Sequence, residues 1–242
     1  MSVTPLRQEE VAIAPPSRLL LLMEARAFGE YAALLLSRSF LASLPRGDGH
    51  PVMVIPGFAT DDASTRPMRR VLARLGYDVH GWGQGRNFGM RSHIKERLRQ
   101  RLGELYLGHG RKVSLIGWSL GGVVVREIAR HAPERVRRVI TLGSPINGHP
   151  QSNNVDALYR WVNRGRQQKL DWDGFQKRRT PPPVPCTAIY SKTDGIVAWR
   201  CCLEEPAPNT ENVEVAASHF GLGVNPQALR VIAERLARPE VA

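Results

Sequence analysis

A serine in the middle of the chain stands in a five-residue pattern that is typical of a catalytic nucleophile. Gly117-Trp118-Ser119-Leu120-Gly121 follows the apolar run 113–116 and precedes a segment rich in valine. Where a strand turns sharply into a helix, close backbone approaches leave room only for glycine two positions from the serine on each side. A serine in an ordinary turn is the alternative, but the setting favours Ser119 as a nucleophile on a strained turn.

A serine hydroxyl is a weak nucleophile, so it needs a base that is itself held in place. The sequence contains seven histidines, and two of them, His149 and His219, follow Ser119 outside its own predicted helix. His219 lies between the last predicted strand and the last predicted helix, whereas His149 stands where a long polar and aromatic segment begins. A short loop between ordered elements fixes a side chain better, so we predict that His219 is the base.

An acidic residue must orient the histidine and stabilise the charge that it gains. Asp194 follows the predicted strand 186–190 and precedes Gly195, which can turn the chain. This position at the carboxyl end of a strand makes Asp194 the predicted acid. The alternatives are two glutamates that look exposed and two aspartates in the polar segment: Glu204, Glu205, Asp171 and Asp173.

Acyl transfer also needs hydrogen-bond donors for the negative charge that develops on the attacked oxygen. The backbone N–H of Leu120 is one predicted donor, because it follows the nucleophile directly at the start of a helix. The second is the N–H of Phe58, in the turn Pro56-Gly57-Phe58 that ends the first predicted strand. A plain turn is the alternative there. The first predicted strand, however, ends at the same edge of the sheet as the strand before Ser119, which favours an oxyanion hole.

From residue 51 onward, the pattern alternates between strands and helices. The predicted strands are 52–55, 77–82, 113–118, 136–142, 186–190 and 213–216, and the predicted helices are 65–75, 91–107, 120–131 and 226–237. This alternation predicts an α/β fold with a mostly parallel central sheet flanked by helices on both faces. A chain of 242 residues fits one domain, residues 1–242.

Residues 148–183 break this alternation and are polar and aromatic. They predict a lid-like insertion over the carboxyl edge of the sheet, which is where open α/β sheets bind ligands. Its larger apolar residues would cover an acyl pocket: Leu158, Trp161, Leu170, Trp172 and Phe175. Trp82, Phe88 and Trp118 are predicted to line that pocket.

Residues 1–50 form an N-terminal arm followed by helical sequence. Residues 18–44 predict one long helix or two shorter ones. Glu24, Arg26 and Glu30 lie on one side of this helix, opposite a face that includes Met23 and Phe28. Such an amphipathic helix can dock on the core or lie on a membrane, and we expect it to dock.

The net charge of +12 predicts a strongly basic surface. Such a surface attracts nucleic acid, anionic lipid headgroups or acidic substrates. The arginines are scattered and no nucleic-acid-binding motif is present, so we expect no nucleic-acid partner. A solvated arginine-rich surface is the favoured interpretation, and weak association with a membrane surface is second. The sequence does not indicate an oligomeric state.

Other sequence features bear on the cellular location of the protein and on the state of its cysteines. No apolar run, including 19–23, is long enough to span a bilayer, and no secretory signal is evident, so a cytoplasmic location is predicted. Cys186, Cys201 and Cys202 form neither a disulfide framework nor a zinc site. Buried thiols are favoured over a bridge from Cys186 to one of the adjacent pair. No metal and no cofactor are expected.

Four segments together resemble the α/β-hydrolase superfamily from about residue 50 to about residue 238. They are Val-Ile-Pro-Gly-Phe, Gly-Trp-Ser-Leu-Gly-Gly, Thr-Asp-Gly-Ile-Val and Ser-His-Phe-Gly, and they are similar to segments of bacterial lipases and esterases. The resemblance implies that Ser119 is the nucleophile, Asp194 the acid and His219 the base, with Phe58 and Leu120 in the oxyanion hole. Pro56 departs from the family, since many lipases have a histidine there, and the strand region at the N-terminus is shortened.

These residues predict a serine hydrolase that cleaves small-molecule or lipid carboxylic esters through an acyl-enzyme intermediate. Three alternatives stay open. An acyltransferase could use the same triad with an alcohol acceptor, and a lipase or phospholipase could act at a lipid surface. A non-catalytic binding relative is disfavoured, because a binding protein has no need of nucleophile, acid and base together.

Overall fold

A computed structural model describes residues 13–36, 38–147 and 179–240 of the protein. Most of the predicted insertion, including His149, Asp171 and Asp173, lies outside the described residues. The predicted lid therefore stays a prediction. The predicted α/β architecture, by contrast, can be compared with the structure strand by strand.

The core is a six-stranded parallel sheet in the described part of the chain, in the order β2-β1-β3-β4-β5-β6. The strands are β1 Pro51–Ile55, β2 Asp78–Gly81, β3 Val113–Trp118, β4 Val136–Leu142, β5 Cys186–Tyr190 and β6 Thr210–Glu214. Every residue of β1, β3 and β4 is buried, as expected for strands that are covered on both faces. The prediction of a parallel sheet flanked by helices is confirmed.

Helices cover the two faces of the sheet. The helices are α1 Arg18–Leu22, α2 Ala27–Leu36, α3 Arg38–Ala42, α4 Asp62–Leu75, α5 Ser92–His109, α6 Leu120–His131 and α7 Pro226–Leu236. Val52 and Val54 belong to the same core cluster as apolar side chains of α4 and α7. Met53 and Ile55 belong to the opposite cluster, together with side chains of α5 and α6. Successive side chains of β1 thus enter opposite core clusters, because side chains alternate between the two faces of a strand.

The order of the strands places two predicted site segments side by side. The chain runs from β1 to β2 and then crosses back to β3 on the other side of β1. Ligands of open α/β sheets bind at such a switch point, beyond the carboxyl ends of the strands. Ile55 pairs with Gly117 at the ends of β1 and β3. The turn after β1 therefore lies next to the turn that carries Ser119.

The predicted position of the last strand was wrong. We expected it at 213–216, but β6 spans Thr210–Glu214 and pairs Cys186 with Thr210. The strand lies at the edge of the sheet and is not fully buried at any position. Polar residues are tolerated in such a strand, so its first half carries no apolar signal. The start of α4 was also placed too late, because Asp61 caps the helix by accepting a hydrogen bond from the Ala63 N–H.

The three cysteines are buried and form no disulfide with one another, as the sequence predicted. Cys186 lies in β5, and burial raises the pKa of its thiol far above the usual value. Burial has the same effect on the pKa of Cys202. Neutral, enclosed thiols are poor nucleophiles and packing is their evident role.

The N-terminal segment docks on the domain through charged side chains of its first half and through the apolar Leu34, which is buried in the core cluster. It is broken into α1, a 3₁₀ turn at Met23–Arg26, and α2, which ends at Leu36. Glu24 is buried, whereas Leu22 and Phe28 are 77% and 83% exposed. The expected apolar face, which includes Met23 and Phe28, is therefore exposed, whereas Glu24 of the expected polar face is buried. None of the helices in the described ranges has the length and apolar character needed to cross a membrane.

Candidate active site

Ser119 stands on a strained turn between β3 and α6. Its backbone has φ 52° and ψ −121°, in a region that non-glycine residues rarely adopt. The Ser119 N–H donates to the Leu142 carbonyl at 2.8 Å, and the Gly122 N–H donates to the Ser119 carbonyl at 3.0 Å. These bonds hold the turn in place. Among the described non-glycine residues, Ala59 alone shares a positive φ, of 58°, and it lies in the neighbouring turn after β1.

The glycines around Ser119 allow the backbones to approach each other. A Cβ atom on Gly117 would lie 2.3 Å from the Gly121 carbonyl oxygen. A Cβ atom on Gly121 would lie 2.3 Å from the Ile55 carbonyl oxygen. Both distances are far below van der Waals contact with rigid backbone atoms. The spacing of glycines in the sequence therefore reflects a steric need of this turn.

Replacement of Gly121 by alanine is expected to lower the free energy of unfolding by roughly 2 kcal/mol or more, because its Cβ would displace β1. Urea denaturation followed by circular dichroism measures the change. Gly108→Ala in α5 is the matched control, since no atom lies within 4 Å of a Cβ at that position. The control is expected to keep or raise stability, because alanine is favoured over glycine in a helix. Equal stability of the two variants would contradict the steric account.

Asp194 and His219 form a buried pair beyond the ends of β5 and β6. His219 Nδ1 lies 2.7 Å from Asp194 Oδ2, and their side chains are 4% and 1% exposed. The other oxygen, Asp194 Oδ1, accepts the N–H groups of Ile196 and Val197, both at 2.8 Å. The carboxylate is thereby fixed in orientation and can hold the imidazole with its proton on Nδ1.

The pair lies close to the Ser119 turn. Trp118, which directly precedes Ser119, donates its indole N–H to the His219 carbonyl at 3.1 Å. Gly143, at the end of β4, is so near that a Cβ there would lie 3.0 Å from Asp194 Oδ2 and 3.1 Å from His219 Nδ1. The carboxyl ends of β3, β4, β5 and β6 thus bring the predicted nucleophile, acid and base to one edge of the sheet.

The surroundings of His219 favour a positively charged ring. Burial lowers the pKa of His219, but the charge and the hydrogen bond of Asp194 outweigh this effect, and the charge of Glu24 adds to them. The net result is a pKa above the usual value. A base with a raised pKa accepts a proton more readily, and it is active in its neutral form, at pH values above that pKa.

The turn after β1 lies over Ser119. A Cβ on Gly57 would lie 3.3 Å from the Ser119 Cβ. The Ala59 N–H donates to the Asn87 carbonyl at 2.7 Å, and the buried Asn87 amide donates to the Pro56 carbonyl at 2.8 Å. Asn87 therefore braces the turn that carries Phe58. Sequence reasoning missed Asn87, since a lone asparagine in a glycine-rich loop carries no recognisable pattern.

The three predicted pocket residues lie in different surroundings. Trp82 is 1% exposed within a core cluster and donates its indole N–H to the Gly85 carbonyl at 2.8 Å. Trp118 is also buried, with its ring centroid 6.4 Å from that of His219. Phe88 is half-buried and packs edge-to-face on Phe58, with centroids 6.0 Å apart. Of the three, Phe88 has the surroundings that suit contact with a substrate.

One of the alternative acids was described wrongly. Glu204 is buried rather than exposed, and it forms an ion pair with Arg126 of α6, with an N–O distance of 2.6 Å. Arg126 is likewise 2% exposed. A buried arginine compensates the carboxylate charge, a pairing that local sequence does not reveal. Glu204 is thus engaged away from the histidine that Asp194 contacts.

The sequence model of the alpha/beta hydrolase fold matches residues 50–181, more than half of the chain. The chain belongs to this family. The match begins just before β1 and includes the Ser119 turn. It therefore agrees with the parallel sheet that the structure shows.

Individual relatives of this alpha/beta hydrolase are distant. A pimeloyl-[acyl-carrier protein] methyl ester esterase of Pectobacterium carotovorum subsp. carotovorum (strain PC1) is 29% identical over 136 residues, which are 55% of this chain and 51% of the esterase. An Aspergillus fumigatus lipase B has a TM-score of 0.59 at 18% identity and covers 83% of this chain and 56% of its own. A mature Bacillus licheniformis lipase has a TM-score of 0.60 at 18% identity, over 80% of this chain and 94% of its own.

These similarities show the fold. The chain spans about half the length of the Pectobacterium esterase and of the Aspergillus lipase. At 18% identity, the likeness to the two lipases concerns the arrangement of strands and helices rather than the reaction. Function must therefore be argued from the residues at the edge of the sheet.

Proposed function

We propose that this alpha/beta hydrolase cleaves carboxylic esters, with Ser119 as nucleophile, His219 as general base and Asp194 as the acid that orients His219. The observation that carries the proposal is the buried Asp194–His219 pair beside the strained Ser119 turn. A pure binding protein has no use for such a pair next to a half-buried serine on a strained turn. The esterase and lipase names of the relatives agree with this reaction class.

The proposed reaction has two halves. His219 Nε2 takes the hydroxyl proton of Ser119 while Oγ attacks the ester carbonyl carbon, and the negative charge moves to the carbonyl oxygen. The N–H groups of Leu120 and Phe58 stabilise that oxyanion. The bond to the alcohol oxygen breaks and His219 returns the proton to the alcohol, which leaves an acyl-Ser119. Water then attacks the acyl group with His219 again as base and releases the acid.

The charge of the protein and the packing near Ser119 suggest which chemical groups flank the ester in the substrate. The net charge of +12 favours an ester that carries, or lies near, negative charge. The edge-to-face Phe58–Phe88 pair next to the proposed oxyanion hole offers an apolar contact for an acyl chain. We therefore propose a small-molecule or lipid ester as the substrate, with Phe88 in the acyl-binding region.

A fluorophosphonate probe followed by peptide mapping tests the reaction class. We expect covalent labelling of Ser119 in the folded protein, and no labelling after heat denaturation. Labelling of a different residue, or the absence of any labelling, would contradict the proposal. A series of p-nitrophenyl esters from acetate to laurate then measures acyl-chain preference. Activity that does not rise above the solubility limit of an ester would leave a plain esterase rather than a lipase.

A further inference from the structure

The 3₁₀ turn Met23–Arg26 lies against the two loops that carry the proposed acid and base. Glu24, in that turn, is 5% exposed although it is an acidic residue. Its Oε1 accepts the N–H of Gly195 at 2.8 Å and the N–H of His219 at 3.0 Å. Its Oε2 accepts the N–H of Phe220 at 3.0 Å. One carboxylate thus joins the residue after Asp194 to His219 itself.

Arg26 reinforces the same connection. Its Nη2 donates to the Thr193 carbonyl at 2.6 Å, to Thr193 Oγ1 at 2.7 Å and to the Ala217 carbonyl at 2.8 Å. Thr193 precedes Asp194, and Ala217 lies two residues before His219. Arg26 therefore also bridges the acid loop and the base loop.

Glu30 completes the set one helical turn later. Its Oε1 accepts the Ser218 N–H at 2.8 Å and lies 3.5 Å from the Arg26 guanidinium. We call Glu24, Arg26 and Glu30 the N-terminal clamp. Each of its members contacts at least one of the two loops.

Two glycines make room for the clamp. A Cβ on Gly195 would lie 2.3 Å from the Leu20 carbonyl oxygen, and a Cβ on Gly221 would lie 1.9 Å from Glu30 Oε2. A side chain at Gly195 would meet this backbone and push the N-terminal segment away, whereas one at Gly221 would displace the Glu30 carboxylate from the base loop. Gly195 thus does more than turn the chain after Asp194. The acid and base loops are shaped to receive this segment.

We propose that Glu24 is a positioning residue of the ester hydrolysis: its buried carboxylate holds the Asp194 and His219 loops in one arrangement and its charge stabilises the protonated imidazole. This proposal rests on the proposed function. Glu24 lies too deep in backbone contacts to touch a substrate, so it acts through His219. An ångström of displacement of a catalytic base can cost about 100-fold in rate.

The deciding variant is Glu24→Gln, which keeps the size of the side chain and removes its charge. The glutamine oxygen can still accept the Gly195 and His219 N–H groups, but its NH₂ would then face the Phe220 N–H, a second donor. We expect kcat to fall roughly 10- to 100-fold with a smaller change in KM. We also expect the acid limb of the pH profile of kcat/KM, which reports the protonation of the free enzyme's base, to move to lower pH.

Two further variants separate positioning from a merely structural role. Glu96→Gln makes the same chemical change at an exposed position of α5 and is expected to leave the rate and the pH profile unchanged. Glu24→Asp keeps the charge on a shorter side chain, so we expect a lower kcat with an acid limb close to that of the unsubstituted protein. If Glu24→Gln does not fold, Glu24→Asp compared with Glu96→Gln still tests the positioning role, and an unchanged kcat in Glu24→Asp overturns it.

An NMR titration of the His219 ring in the unsubstituted protein, Glu24→Gln and Glu96→Gln gives a readout that does not depend on catalysis. A lower His219 pKa in Glu24→Gln alone supports the proposal. Unchanged titration together with an unchanged kcat overturns it, as does a rate loss that only tracks the folded fraction. If the unsubstituted protein neither hydrolyses esters nor reacts with the probe, the proposed function fails. The titration then still decides whether Glu24 is coupled to His219.

Discussion

Replacing Ser119 with alanine is expected to lower kcat/KM for ester hydrolysis by about 10⁴-fold or more. Alanine has no hydroxyl oxygen to attack the ester, so no acyl-enzyme can form. The oxyanion donors and the binding surface remain, and they account for the small rate that should be left. Initial rates with a p-nitrophenyl ester, together with fluorophosphonate labelling, measure the loss.

The stability of Ser119→Ala should change little. Ser119 already has φ 52°, and alanine keeps the Cβ that the turn accommodates, so the strain is retained rather than relieved. Ser92→Ala, at the exposed start of α5, is the matched control and should keep full activity and labelling. If Ser119→Ala retained more than about a tenth of the activity, Ser119 could not be the nucleophile.

Asp194→Asn is the second substitution with a large expected effect, a fall in kcat of about 10⁴-fold. Asp194 Oδ1 accepts two backbone N–H groups, from Ile196 and Val197, so the amide oxygen of asparagine should stay on that side. The amide NH₂ would then face His219 Nδ1 and force this nitrogen to accept. The imidazole proton would sit on Nε2, and the ring could no longer take the proton of Ser119.

The pH dependence of kcat/KM gives a second, independent test of Asp194→Asn. The charge and hydrogen bond of Asp194 raise the pKa of His219 against the effect of burial, so their loss should lower that pKa. Asp61→Asn is the matched control, because asparagine caps a helix as well as aspartate does and Asp61 only caps α4. Activity of Asp194→Asn within tenfold of the unsubstituted protein would remove Asp194 from the proposed mechanism.

The sequence was most informative where the fold is set by neighbouring residues. The interior strands β1, β3, β4 and β5 are short segments rich in apolar residues, and each was predicted to within a residue of its observed bounds. Edge strand β6 was misplaced because it carries polar residues, which an edge tolerates. Trp82 was predicted to line a pocket, yet composition cannot distinguish an aromatic side chain in the core from one in a pocket.

The sequence by itself determined the Ser119 turn, since glycine spacing around Ser119 is a local steric requirement between residues 117 and 121. It also determined the order Ser119, Asp194, His219 along the chain. Only the tertiary structure decided how these residues meet. The pairing of Ile55 with Gly117 brings the turn that carries Phe58 to Ser119. The carboxylate of Glu24 reaches partners that are 171 and 195 residues away. Such contacts form only when separate loops pack together, so no local sequence pattern predicts them.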